Sequence, residues 1–139
     1  MNDQVKKASF EFENYKVVKF SFSDPNDDIT NLSVHFEPSG EYNVKEGRFI
    51  LSFGFVASYN EGNNVLIDAL IQASFKFPDA TPLEEIPAYF YRNSIALVYP
   101  YVRSFATTLT AVGNVKPLIL PVLNLSNLEE PLKKATTVI

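Results

Sequence analysis

Cysteine and tryptophan are absent from the 139 residues, and histidine and methionine occur once each. Without cysteine there is no disulfide, no thiolate nucleophile and no cysteine-ligated zinc. A single histidine, His35, leaves no His-paired nucleophile and no cluster of soft metal ligands. It sits between Val34 and Phe36, so strand alternation places it on a polar face. Glycine is scarce, at five residues, and neither G-x-x-x-x-G-K nor G-x-G-x-x-G occurs, so no phosphate-cradling loop is expected. The net charge of −4 comes without a basic footprint, which excludes nucleic-acid binding. The longest wholly apolar run, residues 117–123, is too short to span a bilayer. Residues 1–7 have no apolar core of the kind a signal peptide needs. The reading is therefore one of a cytoplasmic protein without metal or cofactor. At this length the chain is expected to form one domain, residues 1–139.

What the chain does have is phenylalanine, 12 residues of it, with seven tyrosines. Phe favours strands and buries a large apolar area. The number exceeds the needs of a small core, so the rings either fill that core or also line a binding or subunit surface. Four stretches alternate with the strand period of two. In the first, Phe10, Phe12, Val18, Phe20 and Phe22 share one parity, whereas Tyr15 and Val17 fall on the other, as in a long, bent or bulged strand. Turn chemistry follows at residues 23–28. The second stretch carries Leu32, Val34 and Phe36 and stops before Pro38. The third carries Phe49, Leu51, Phe53, Phe55 and Ala57. A hairpin loop at residues 59–64 leads to the fourth, with Val65, Ile67, Ala69, Ile71, Ala73, Phe75 and Phe77. These stretches predict an antiparallel sheet of four strands with one strongly apolar face.

The pattern then becomes helical. Thr81-Pro82-Leu83-Glu84 reads as a capping box with Pro87 as an interruption. Ile95, Val98, Val102, Phe105, Leu109 and Val112 alternate steps of three and four, a seam narrower than the usual core stripe. Pro100 should kink that helix, and Gly113-Asn114 should end it. Residues 117–123, with prolines at 117 and 121 that suit neither a helix nor a central strand, predict an apolar extended connection. That is odd for a loop, because loops are normally polar. Ser126-Asn127-Leu128-Glu129 reads as a second capping box opening a short helix, and residues 133–139 read as frayed. The fold class is thus α+β: four antiparallel strands, a long helix, a crossover loop and a short C-terminal helix.

No constellation for catalysis stands out. The carboxylate pairs Asp27/Asp28, Glu84/Glu85 and Glu129/Glu130 are sequence neighbours beside turns or helix starts, and helix N-termini account for two of them. The expectation is a protein that is not an enzyme. Its distinctive features are apolar surfaces, some hidden in an oligomer and some offered to a partner.

The segment Asn93-Ser94-Ile95-Ala96-Leu97-Val98-Tyr99-Pro100-Tyr101-Val102-Arg103, Gly113 at the helix end, and Leu118-Ile119-Leu120-Pro121-Val122-Leu123-Asn124-Leu125 together resemble the SecB family of export chaperones. The resemblance covers nearly the whole chain, but it is specific only over about 40 residues, and the strands match by pattern. It implies an ATP-independent holdase that binds unfolded polypeptide in apolar grooves, assembled as a homotetramer. By resemblance, Leu32, Val34, Phe36, Leu118, Leu120, Val122, Leu123, Leu125, Leu128 and Leu132 would line the client groove. Ile67, Ala69, Ile71, Ile95, Val98, Val102, Phe105 and Leu109 would lie at subunit interfaces. Leu66 and Asp68 match part of the surface that docks the SecA motor, but Lys19 and Ser23 stand where the family has acids, which weakens such docking. A chaperone dedicated to one client, such as an antitoxin, fits equally. The alternative from another class is a helix-grip carrier of a small molecule or lipid, with the Phe face lining a cavity.

Overall fold

The computed structural model describes residues 9–25, 29, 31–122 and 124–139. Its elements run β1 (Glu11–Phe22), β2 (Ser33–Asn43), β3 (Arg48–Tyr59), β4 (Asn64–Lys76), α1 (Tyr89–Val112), α2 (Ser126–Lys134) and β5 (Thr136–Val138). The strands form one sheet in the order β1-β4-β3-β2-β5, antiparallel except for the β2–β5 pair. The expected four antiparallel strands are present, with β2, β3 and β4 joined in succession and β1 crossing over to pair with β4, and a fifth strand is added where frayed residues were expected. A three-residue strand has no periodicity to detect.

Strand β3 alternates strictly, with Phe49, Leu51, Phe53, Phe55, Ala57 and Tyr59 turned to the core. Strand β1 does not alternate. Phe12 pairs with Phe75, Tyr15 with Ala73, Val17 with Ile71 and Phe20 with Ala69, with irregularities between Phe12 and Asn14 and between Val17 and Lys19. Each bulge reverses the parity. Tyr15 and Val17 therefore register with core-facing residues of β4, as the expected bulged strand allows, whereas Val18 is left exposed. A third bulge, opposite Ala57/Ser58, turns Leu66 inward and leaves Val65 exposed. Strand β2 also runs on through Pro38, where an end was expected.

Glu13 stands at the first bulge and ties it down. It accepts two hydrogen bonds from Arg48, at 3.0 and 3.1 Å, and one from the Ser74 hydroxyl at 2.6 Å. Those bonds, Arg48's first, hold its carboxyl at about 2, against a usual 4.5. A folded-state value below the unfolded one adds stability above the unfolded value and loses it as pH falls through the folded one. Thermal midpoints of the protein should therefore fall between pH 4.5 and 2, and Glu13→Gln should flatten part of that fall. Because the pair is part-exposed, the difference should be small and should shrink in high salt.

Helix α1 lies across the apolar face. Phe90, Tyr91, Ser94, Ile95, Val98, Tyr99, Val102, Ala106 and Thr110 are buried, a stripe broader than the expected seam. Phe90 is the hub of the core. Its ring meets those of Phe49, Phe10, Phe77 and Phe75 at centroid distances of 4.8, 4.9, 5.0 and 5.4 Å, all edge-on, the arrangement aromatic quadrupoles favour. The helix continues on both sides of Pro100, which faces solvent along with Ala96, whose carbonyl loses its amide partner. It ends as expected at Gly113-Asn114. Asn114 takes the left-handed conformation at φ 62°, and its N–H and that of Val115 close onto Ala111 and Thr110. Gly113 lets the Phe22 ring come close, since a Cβ there would lie 2.7 Å from it.

Neither expected capping box forms. Thr81 instead donates to the Pro78 carbonyl, and Leu83–Glu85 makes only a 3₁₀ turn, with the helix delayed past Pro87. At α2, Asn124 rather than Ser126 supplies the capping oxygen, accepting from the Ser126 N–H at 3.2 Å.

Candidate functional site

The connection between α1 and α2 is apolar, yet it is ordered by polar groups of α1. The Thr110 hydroxyl, fully buried, donates to the Ala106 carbonyl and accepts the Leu118 N–H at 2.8 Å. Thr107 donates to the Leu118 carbonyl at 2.7 Å, and the Tyr99 hydroxyl donates to the Pro121 carbonyl at 2.5 Å. Burial pushes the Tyr99 phenol above its usual range, so the donor form is kept. Held this way the connection alternates as a strand does. Leu118 and Leu120 are buried, whereas Ile119 and Val122 are 73% and 87% exposed. Thr110→Val should leave the Leu118 N–H without its partner at a cost of roughly 1–3 kcal/mol. Urea unfolding would show the loss, and hydrogen exchange at Leu118 would show the loosened loop.

Two grooves hold residues that the sequence marked for the site. The larger, about 640 Å³, wraps the edge of β2 beside α2. His35, Phe36, Glu37, Pro38 and Ser39 line one side, Leu128, Pro131 and Ala135 the other, and Ser52, Gly54 and Leu70 the floor. The smaller, about 250 Å³, lies between Ile29, Leu32 and Leu66 and the loop residues Lys116, Pro117, Leu118 and Ile119. Phe36 is only half-buried, its ring stacked on Phe53 at 5.5 Å and edge-on to Tyr99 at 5.8 Å.

The edge of β2 matters as much as its side chains. The Gly40 N–H donates to Ala135, and the Tyr42 carbonyl accepts from Ile139, so both residues turn their backbone groups outward to β5. The two-residue alternation points those of Val34, Phe36 and Pro38 the same way. Pro38 has no N–H to lose there, which is why a central-looking strand tolerates it. Among the described residues no strand pairs with Val34 and Phe36 on that side, so each turns an N–H and a carbonyl to the open edge of β2.

The sequence-expected groove residues are divided by this arrangement. Phe36 and Leu128 meet in the larger groove, and Leu32 and Leu118 in the smaller. Val34 and Leu125 are half-buried against the core, Leu120 and Leu132 are inside it, and Leu123 lies outside the described residues, as does the Asp27/Asp28 pair. Of the residues assigned to subunit interfaces, Ile67, Ala69, Ile71, Ile95, Val98 and Val102 are buried within their own chain, while Phe105 and Leu109 are partly buried. The large apolar residues that α1 leaves exposed are Tyr89, Leu97, Tyr101 and Val112. Leu66 and Asp68 do not share a surface: the bulge buries Leu66 in the smaller groove, and Asp68 lies with Lys19, His35 and Glu37 on the outer sheet face. Pro131 and Ala135, which help wall the larger groove, were missed, because neither carries a periodic signal. Among the described residues no group of three or more His, Cys, Asp or Glu is placed to hold a metal, and no helix is long and apolar enough to cross a membrane.

Comparison with known proteins bears on this architecture. No family model matches the chain. It is 26% identical to an uncharacterised protein of Methanocaldococcus jannaschii, over 89% of this chain and 87% of that protein. Among solved structures it superposes on a SecB-like chaperone of Mycobacterium tuberculosis with a TM-score of 0.68 and 19% identity, covering 83% of this chain and 88% of the other. The chain has a SecB-like fold. The mycobacterial chaperone was solved in complex with a ChAD peptide from the HigA1 antitoxin. A protein of unknown function from Streptococcus agalactiae has a TM-score of 0.51 at 14% identity, over 84% of this chain and all of the other. Within the SecB-like fold, the short parallel strand β5 is the departure from the four strands expected from the sequence.

Proposed function

We propose that this protein is an ATP-independent holdase that takes unfolded or extended polypeptide on the β2 edge and in the adjoining apolar groove, and is not an enzyme. The observation that carries the reading is that the stretch of the β2 edge at Val34 and Phe36, which β5 does not cover, adjoins a groove walled by Phe36, Leu128 and Pro131. An extended client adds a strand through main-chain hydrogen bonds and seats alternate side chains in the groove. Each apolar side chain covered contributes about 25 cal/mol per Å². Recognition by main chain and by generic apolar contact needs an unfolded client rather than a sequence motif.

A dedicated cytoplasmic client suits the chain better than hand-off to a motor. Lys19 lies beside Asp68 on the outer face, breaking up an acidic patch that a basic partner would need. The mycobacterial neighbour's antitoxin peptide gives the kind of client to test first. Assembly as a homotetramer through Tyr89, Leu97 and Tyr101 of α1 would multiply the grooves and supply avidity. The helix-grip carrier is less well supported, because Phe90 and its ring neighbours fill the space between sheet and helix.

Native mass spectra with carboxymethylated, permanently unfolded α-lactalbumin, and with the folded protein as control, test the reading. A tetramer that binds only the unfolded form is the expected result. A monomer that ignores both forms, or carries a small molecule, overturns it.

A further inference from the structure

The larger groove ends at Ala135, the residue that leads from α2 into β5. Beyond that point the β2 edge is occupied by the chain's own segment, with Gly40, Glu41 and Tyr42 in register with Thr136, Thr137 and Val138. The seat for that segment is built in. A Cβ at Gly40 would lie 2.9 Å from the Thr136 hydroxyl and 2.4 Å from the Phe49 ring, so glycine reserves the close approach. The Thr136 hydroxyl donates to the Leu132 carbonyl at 2.7 Å and fixes the exit from α2.

Little apolar burial holds the strand in this seat. β5 is three residues long, outermost in the sheet and parallel to its partner, the weaker ladder. Thr137 is exposed and Val138 is 50% exposed. Its hold is the backbone ladder, which an incoming extended chain reproduces bond for bond. Pro38, lacking an N–H, marks the boundary between the open and occupied halves of the edge.

We propose that β5 is a resident strand that competes with client polypeptide for Gly40–Tyr42, so that its release extends the client site along β2. The proposal rests on the holdase reading. A competitor that occupies part of a site lowers the apparent affinity for the ligand by the fraction of time it is bound.

The absence of cysteine allows a clean test. Glu41 and Thr137 are register partners, and adjacent parallel strands bring Cα atoms within disulfide reach. Glu41→Cys with Thr137→Cys gives one molecule that can be locked by oxidation and unlocked by reduction. Its binding of carboxymethylated α-lactalbumin should weaken about three- to tenfold on locking. Thr137→Pro, which removes one ladder donor, should bind about two- to tenfold more tightly than the parent, the worth of one net hydrogen bond. Client bound equally in locked and unlocked forms overturns the proposal and leaves the holdase reading standing. Tighter binding on locking also overturns it and makes β5 an organiser of the edge. No client bound by any form overturns both.

Discussion

Phe90→Ala should destabilise the protein by about 3–5 kcal/mol, the usual cost of emptying an aromatic site in a core that cannot collapse. The ring is fully buried and meets four other phenylalanines, two on the paired strands β3 and β4. Removing it takes away the apolar contact and the edge-on ring contacts together. Against a typical total of about 5–15 kcal/mol, that is a large share of stability. The thermal midpoint should drop by roughly 10–20 °C, measured by circular dichroism. Phe20→Ala is the matched control. Phe20 is 52% exposed and, among the described residues, has one ring neighbour, Phe105 at 5.3 Å, so its loss should cost far less. Equal losses would show that the Phe90 cluster is not the hub of the core.

The second large effect concerns binding. Leu128→Glu places a charge in the wall of the groove beside Phe36 and Pro131. Covering a leucine is worth about 1.5–3 kcal/mol, so affinity for an unfolded client should fall at least about tenfold. Leu128 is only partly buried against the core, so the thermal midpoint should move by a few degrees at most. Val122→Glu separates the groove from general surface stickiness. Val122 is apolar and exposed but does not wall the larger groove, and its substitution should change affinity less than about threefold. If both variants bind alike, clients are held by scattered apolar surface and the groove assignment fails.

Both predictions depend on residues whose type was legible in the sequence and whose place was not. Phe90 lies between Pro87 and the periodic part of α1, where no seam had yet begun. Leu128 was legible as the apolar side of a short helix, but its neighbour across the groove comes from a strand about 90 residues earlier. Local pattern carries no information on such a pair. The same holds for Thr110, which reads as a polar interruption of an apolar helix and proves to be the anchor of the crossover loop.

Taken alone, the sequence determined the order of strands and helices, the apolar face of β3 and β4, the end of α1 at Gly113-Asn114 and the unusual apolar connection. Each is written in local periodicity or in the conformational limits of glycine, asparagine and proline. The tertiary structure decided the rest. Bulges in β1 and β4 exchanged Val18 for Val17 and Val65 for Leu66, because an extra residue against the paired strand shifts the alternation beyond it. Pro38 could stay inside β2 only because its missing donor faces an open edge. The fifth strand lies against Gly40, where a Cβ would crowd the Thr136 hydroxyl, a pairing of residues about 95 positions apart.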